Sequence, residues 1–257
     1  MNFLLAPLRL AAGYTTFFGL LLVAAGLFIT PNVTAGAGVR PFHEDVTAFL
    51  KKVVTPDGQV NYTLAARDAA ALQALVQRVQ TFDVYSAKPA ERKAFYLNAY
   101  NVLVVRAVVH AYPVASVMKL PGFFDKQEYN VAGELLTLNE LETNKLRKPY
   151  ADPRIHFALV CGARSCPRLR SEAYVPASLE AQLNDQTRKV LQDPLFIRLD
   201  AGGKKVLVSE IFKWYALDFK NTGKSTVAYI NQFRRVKIPV TAVPDYYAYD
   251  WALNDQK

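Results

Sequence analysis

The run from Ile155 to Cys161 constrains this chain more than any other stretch, because it is apolar except for His156 and is bracketed by Pro153 and Gly162. A short apolar run between breakers predicts a strand covered on both faces, in the middle of a sheet. Alternation along such a strand puts His156 on one face with Ala158 and Val160, and Cys161 on the other with Phe157 and Leu159. His156 and Cys161 are therefore expected not to touch. The following loop, Gly162 to Ser165, folds back to bring Cys166 near either of them, and Pro167 fixes its exit. Arg154 to Leu169 thus holds both cysteines and one of three histidines.

Around that strand the pattern is mostly helical. Phe42 to Val54 has apolar residues at helical spacing and is followed by the turn TPDGQV, and Leu64 to Val79 reads as an amphipathic helix rich in Ala and Leu. Pro89 opens a third helix that runs to about Tyr112, where Pro113 stops it. Beyond Arg92 this helix is apolar nearly all round, which predicts burial. Asn98 and Asn101 share one of its faces, and buried amides need partners. Two jobs are open to them: tying the helix to a neighbouring loop backbone, or orienting a catalytic histidine and binding a substrate amide.

Val114 to Phe124 is irregular, and Gln127 to Ala132 reads as a short strand. LTLNELETNKLR reads as a helix with a capping box at Thr137 and Glu140, carrying Glu142 as a surface or ion-pair residue. Helices follow over Pro176 to Leu191, Glu210 to Lys220 and Ser225 to Arg234, with a hairpin of Phe196 to Leu199 and Lys205 to Val208 around AGG. The tail PVTAVPDYYAYDWALN is extended and seals the core with its aromatics. The expected fold class is α+β, helices around a small mixed or antiparallel sheet with Ile155 to Cys161 as central strand. A cysteine-protease or transglutaminase-like arrangement is one form of it.

The N-terminus reads as a targeting signal. Phe17 to Ile29 is an uncharged apolar run of signal-peptide length, and Val33 and Ala35 have the small-residue spacing of a cut after Ala35. Counted from Ala11, the same run (11–29) just reaches the length of an uncleaved membrane anchor. Residues 1–35 are assigned to this segment and 36–257 to a single domain, exported to the periplasm or secreted. The net charge of +9 barely changes on removal of 1–35, whose only charged side chain is Arg9. Lys and Arg are scattered among Asp and Glu without the aromatic interleaving of a nucleic-acid reader, so a solvated surface and no nucleic-acid partner are expected.

The motifs AFYLNAYN (Ala94 to Asn101), YPVASV, LNELETNKLR, RIHFALVCGARSCPRL and YDWALN stand in one order along the chain. In them the sequence resembles the family catalogued as domain of unknown function 547, over about Phe42 to Asn254. The resemblance implies an exported bacterial member of a family with no activity assigned as a whole. Its signature positions correspond here to Asn98, Asn101, Glu142, His156, Cys161 and Cys166. Many members carry a histidine where this chain has Thr143, which argues against a mechanism needing a second histidine there.

A thiolate nucleophile needs a depressed pKa, a base and a group to orient that base. Cys166, flanked by Arg164, Arg168 and Arg170, is the candidate nucleophile and His156 the base, with Glu142, Asn98 or Asn101 to hold the imidazole. Asn98, Asn101 and Arg164 are also candidates for substrate binding. The set suits a thiol-dependent hydrolase or transferase acting on a peptide or amide bond. The rival is a non-catalytic envelope binding module in which Cys161 and Cys166 form a structural disulfide, and a paired Cys166 is no nucleophile. His43, His110 and His156 are far apart in sequence and no glycine-rich phosphate loop is present, so neither metal nor cofactor is expected.

Overall fold

In the computed structural model, which describes residues 40–200, 202 and 204–256, helices α1 (Phe42–Val53), α2 (Tyr62–Arg67) and α3 (Ala69–Thr81) pack onto α4 (Pro89–Ala111). The expected leader or anchor at 1–35 lies outside the described residues. Pro89 sits in the first turn of α4, where a missing N–H is harmless. From Lys93 to Val105 the helix is buried without interruption, as an all-round apolar sequence requires. Phe95 joins the layers, stacking on Phe82 at 4.0 Å and tilting against Phe42 at 5.5 Å. The single helix expected over Leu64 to Val79 is two, broken at Asp68, whose carboxylate takes a bond from Lys52 at 3.0 Å. Among the described residues no helix is long and apolar enough to cross a membrane.

Strand β1 (Glu128–Val131) pairs antiparallel with β2 (Glu134–Thr137), through a turn in which Ala132 and Gly133 both have positive φ. The partner strand was not foreseen, because its apolar Leu135 and Leu136 look like the start of the following helix. The capping box forms as expected: Thr137 accepts from the Glu140 N–H while the Glu140 carboxylate accepts from the Thr137 N–H. Helix α5 (Leu138–Glu140) then continues into a wider, π-type stretch over Leu141–Arg147, where the Lys148 N–H reaches the Thr143 carbonyl, and ends as α6 (Lys148–Tyr150).

Ile155 to Cys161 is not a strand. Ile155–Ala158 is one turn of helix, α7, and Leu159 to Cys161 is extended but belongs to neither sheet. The physical reason is that side-chain amides stand where strand neighbours would. Asn101 of α4 donates to the Ala158 carbonyl and accepts from the Val160 N–H, both at 3.0 Å. Gln186, on α8 (Leu179–Gln192), donates to the Phe157 carbonyl at 3.0 Å. The segment is as buried as the sequence predicts, and its backbone is satisfied without a ladder.

The α+β class holds, with the sheet formed elsewhere. Strands β3 (Ile197–Leu199), β4 (Lys205–Ser209) and β5 (Val243–Tyr247) make a mixed sheet centred on β4, antiparallel to β3 and parallel to β5. The helix expected over Glu210 to Lys220 is broken at Tyr215 into α9 (Ile211–Trp214) and α10 (Ala216–Lys220). Then comes α11 (Thr226–Phe233), capped by Ser225. After β5 the chain runs as an extended strap. Its backbone bonds Arg164 at Ala252, Ala115 at Leu253, and both Gly162 and Val60 at Asn254.

Candidate active site

His156 sits on the single turn of α7, which aims its side chain toward α10 rather than into a sheet face. Its Nε2 lies 2.8 Å from the Asp218 carboxylate, and Arg147 holds the same carboxylate through Nε at 2.8 Å and a second nitrogen at 3.2 Å. The His156 hydrogen bond, reinforced by Arg147, keeps Asp218 well below the usual carboxylate range in spite of its partial burial. An ionised carboxylate can only accept, so Nε2 carries the proton and Nδ1 is left for other chemistry. Tyr215 stacks on the imidazole at 3.8 Å, and the Arg147 guanidinium lies 4.7 Å from the centroid of the Tyr215 ring.

Nδ1 faces Glu142, whose nearest oxygen is 3.9 Å away. Glu142 is buried, not at the surface as its sequence neighbourhood suggests, because the π-type stretch turns it inward. Burial pushes its carboxyl up, while His156, Tyr215 and Arg147 pull the other way.

Cys161 and Cys166 are joined in a disulfide, with Cα atoms 6.3 Å apart. The tight loop between them needs Gly162, at φ +87°, where a Cβ would also press to 3.1 Å from Val117. Two donors converge on Cys166 Sγ, the Cys161 N–H at 3.0 Å and the Tyr249 hydroxyl at 3.2 Å. Burial raises the Tyr249 phenol, so it stays protonated and available as a donor. The strap fixes the loop from outside: Ser165 N–H donates to the Asp250 carbonyl at 3.1 Å, and Asp250 N–H to the Ser165 hydroxyl at 2.8 Å.

Glu142, His156, Cys161 and Cys166 line one cavity of about 290 Å³, walled by the aromatics of Tyr215 and Trp251. The expectation that His156 and Cys161 face apart fails with the strand that produced it: a helical turn rotates them into the same space. Asn98 and Asn101 do not line this cavity. Of the two jobs open to them, the backbone one is observed. Asn98 exchanges bonds of 2.8 Å with both the N–H and the carbonyl of Tyr174, as Asn101 does with Ala158 and Val160. Arg164 lines a second cleft, of about 880 Å³, which shares only Cys166 and Pro167 with the first.

Sequence reasoning missed Asp218, Tyr215 and Tyr249. Tyr215, the N-cap of α10, and Asp218 within it are three positions apart, a spacing that leaves both side chains able to reach one neighbour. The tail aromatics read as core sealant also form the wall of the cavity. Chemically, the arrangement offers a histidine with Nε2 pinned and Nδ1 without a hydrogen bond among the described residues, in the same cavity as a sulfur at which two donors meet.

No curated protein and no solved structure matches this chain. A family model described as "Protein of unknown function, DUF547" matches residues 84–191, the span from just before α4 to the end of α8. It includes Asn98, Asn101, Glu142, His156 and both cysteines, whereas Tyr215, Asp218 and Tyr249 lie beyond it. Over residues 84–191, which is less than half of the chain, the sequence is thus similar to the DUF547 family.

Proposed function

We propose that this protein is an exported, thiol-dependent acyl hydrolase or transferase acting on peptide or amide bonds, with the Cys161–Cys166 disulfide as its resting form. The observation that carries this reading is the convergence of the Cys161 N–H and the Tyr249 hydroxyl on Cys166 Sγ, in the cavity that also holds His156. Such donors gain little from a disulfide sulfur and much from a thiolate. An oxidising compartment accounts for the paired state at rest.

A dithiol reductant opens the site: its two thiols become a disulfide, and its two electrons and two protons convert the Cys161–Cys166 bond into two thiols. The Cys166 proton passes to His156 Nδ1, and the thiolate attacks the acyl carbon, forming a C–S bond. As the C–N bond breaks, the imidazolium returns the proton to the leaving amine. Water, or a second amine, then attacks the thioester, releases the acyl group and restores the thiol. Asp218 is the positioning residue for the imidazole, and Glu142 faces the positive charge that develops on it.

Reduced protein treated with p-nitrophenyl acetate should carry one acetyl group on Cys166 by peptide mass mapping. Cys166→Ala should abolish it, and Asp218→Asn should slow it by about 10²-fold. Absence of acetylation on fully reduced, folded protein overturns the proposal. The disulfide itself favours a second reading, a binding module clipped by Cys161–Cys166, under which reduction lowers stability and no acyl adduct forms.

A further inference from the structure

We infer that the 880 Å³ cleft binds a carboxylate-bearing peptide, the acidic flank of the acyl donor that the proposed thiol site would cleave. This inference rests on the reading above for the role of Cys166, and on the cleft alone for the chemistry of the ligand. Cys166 and Pro167 belong to both cavities, so a chain lying along the cleft reaches the sulfur at its inner end. The volume suits several residues of peptide rather than a single small acyl group.

The charge lining the cleft is one-sided where it is uncommitted. Five cations stand against three carboxylates. Two of those carboxylates face a cation of their own: Asp193 lies 3.5 Å from Arg168, and Glu172 lies 3.8 Å from Lys51. The third, Asp250, accepts from the Ala252 N–H at 2.9 Å. Arg170 and Lys189 share Asp185 at 2.7 and 2.9 Å. Arg164 and Arg198 have no carboxylate partner among the described residues. Arg198 is held flat, its guanidinium 4.0 Å over the Tyr247 ring and its Nε donating to the Leu195 carbonyl at 3.1 Å. Its terminal nitrogens have no protein partner among the described residues, which leaves a pre-set fork for a carboxylate. Arg164, an exposed residue of the cleft lining, stands two positions before Cys166 in the sequence. Among the described residues Asp250 is the lining carboxylate without a cation of its own.

The test is isothermal titration of the disulfide form with triglutamate and, separately, triglutamine. Triglutamate should bind at least tenfold more tightly, and its affinity should fall as salt is raised from 50 to 300 mM. Arg164→Gln and Arg198→Gln should each weaken triglutamate about five- to tenfold without changing triglutamine. Equal binding of the two peptides, binding of neither, or inorganic phosphate displacing triglutamate at equal concentration overturns the inference. Because the titration uses oxidised protein, its outcome is independent of whether Cys166 acylates, and each proposal can fail alone.

Discussion

Replacing Asp152 by Asn should expose how the entry to α7 is held. Asp152 accepts from Lys93 Nζ at 2.7 Å, from Arg154 Nε at 2.9 Å and from a terminal nitrogen of Arg154 at 2.7 Å, while its other role is to accept the Arg154 N–H at 3.0 Å. Lys93 is itself buried, on α4, so this cluster ties the central helix to the segment bearing His156. Burial works to raise the Asp152 carboxyl, but Arg154 and Lys93 together hold it down to about 2. A depressed carboxylate contributes stability above its unfolded value and loses it as pH falls through its folded one. A shift of about two pH units corresponds to about 2.5 kcal/mol at neutral pH. Asp152→Asn also leaves the Lys93 ammonium with only Glu180, at 3.9 Å, as a counter-charge, so the total loss at pH 7 is about 3 kcal/mol. Urea midpoints of wild type and variant, measured from pH 7 to pH 2, give the difference directly, and the acid sensitivity of Asp218 is common to both and cancels. The gap should narrow between about pH 4 and pH 2 as Asp152 protonates. A gap below about 1 kcal/mol at pH 7, or one that stays constant down to pH 2, would refute the reasoning.

Two further outcomes follow from the same geometry. Asn101→Ala orphans the buried Ala158 carbonyl and Val160 N–H and should cost about 2–4 kcal/mol by chemical denaturation, whereas a merely apolar contact would cost less. In reduced protein, Tyr249→Phe should slow alkylation of Cys166 by iodoacetamide at pH 7 about tenfold, the loss of one hydrogen bond to a thiolate, with no change for a small-molecule thiol standard.

Much of the helical scaffold was legible in the sequence because its cues are local. Pro89 and Pro113 bracket α4, Thr137 and Glu140 declare their capping box, and the apolar spacing of α1 survives folding almost to the residue. The central misreading, at Ile155 to Cys161, has a different origin. A short apolar run predicts burial well and conformation poorly, and what decides the conformation here are amides 57 and 29 residues away, on Asn101 and Gln186. The candidate site was half visible for the same reason. His156, Glu142 and Cys166 stand out by residue type, whereas Asp218 is one acid among 22 Asp and Glu until the fold brings it to the imidazole.

The strap has a consequence for the order in which this protein is made. Asn254 accepts from the Tyr62 hydroxyl at 2.8 Å across 192 positions, and Ala252 and Asp250 pin the loop that carries Cys166. Helices α1 to α4 pack through contacts close in sequence, but the sulfur loop has no outer wall until the segment 249–254 has closed over it. Contacts of such separation are slow to close, so the strap is expected to dock late in folding. The same docking places Tyr249 against Cys166, so the strap also covers the sulfur.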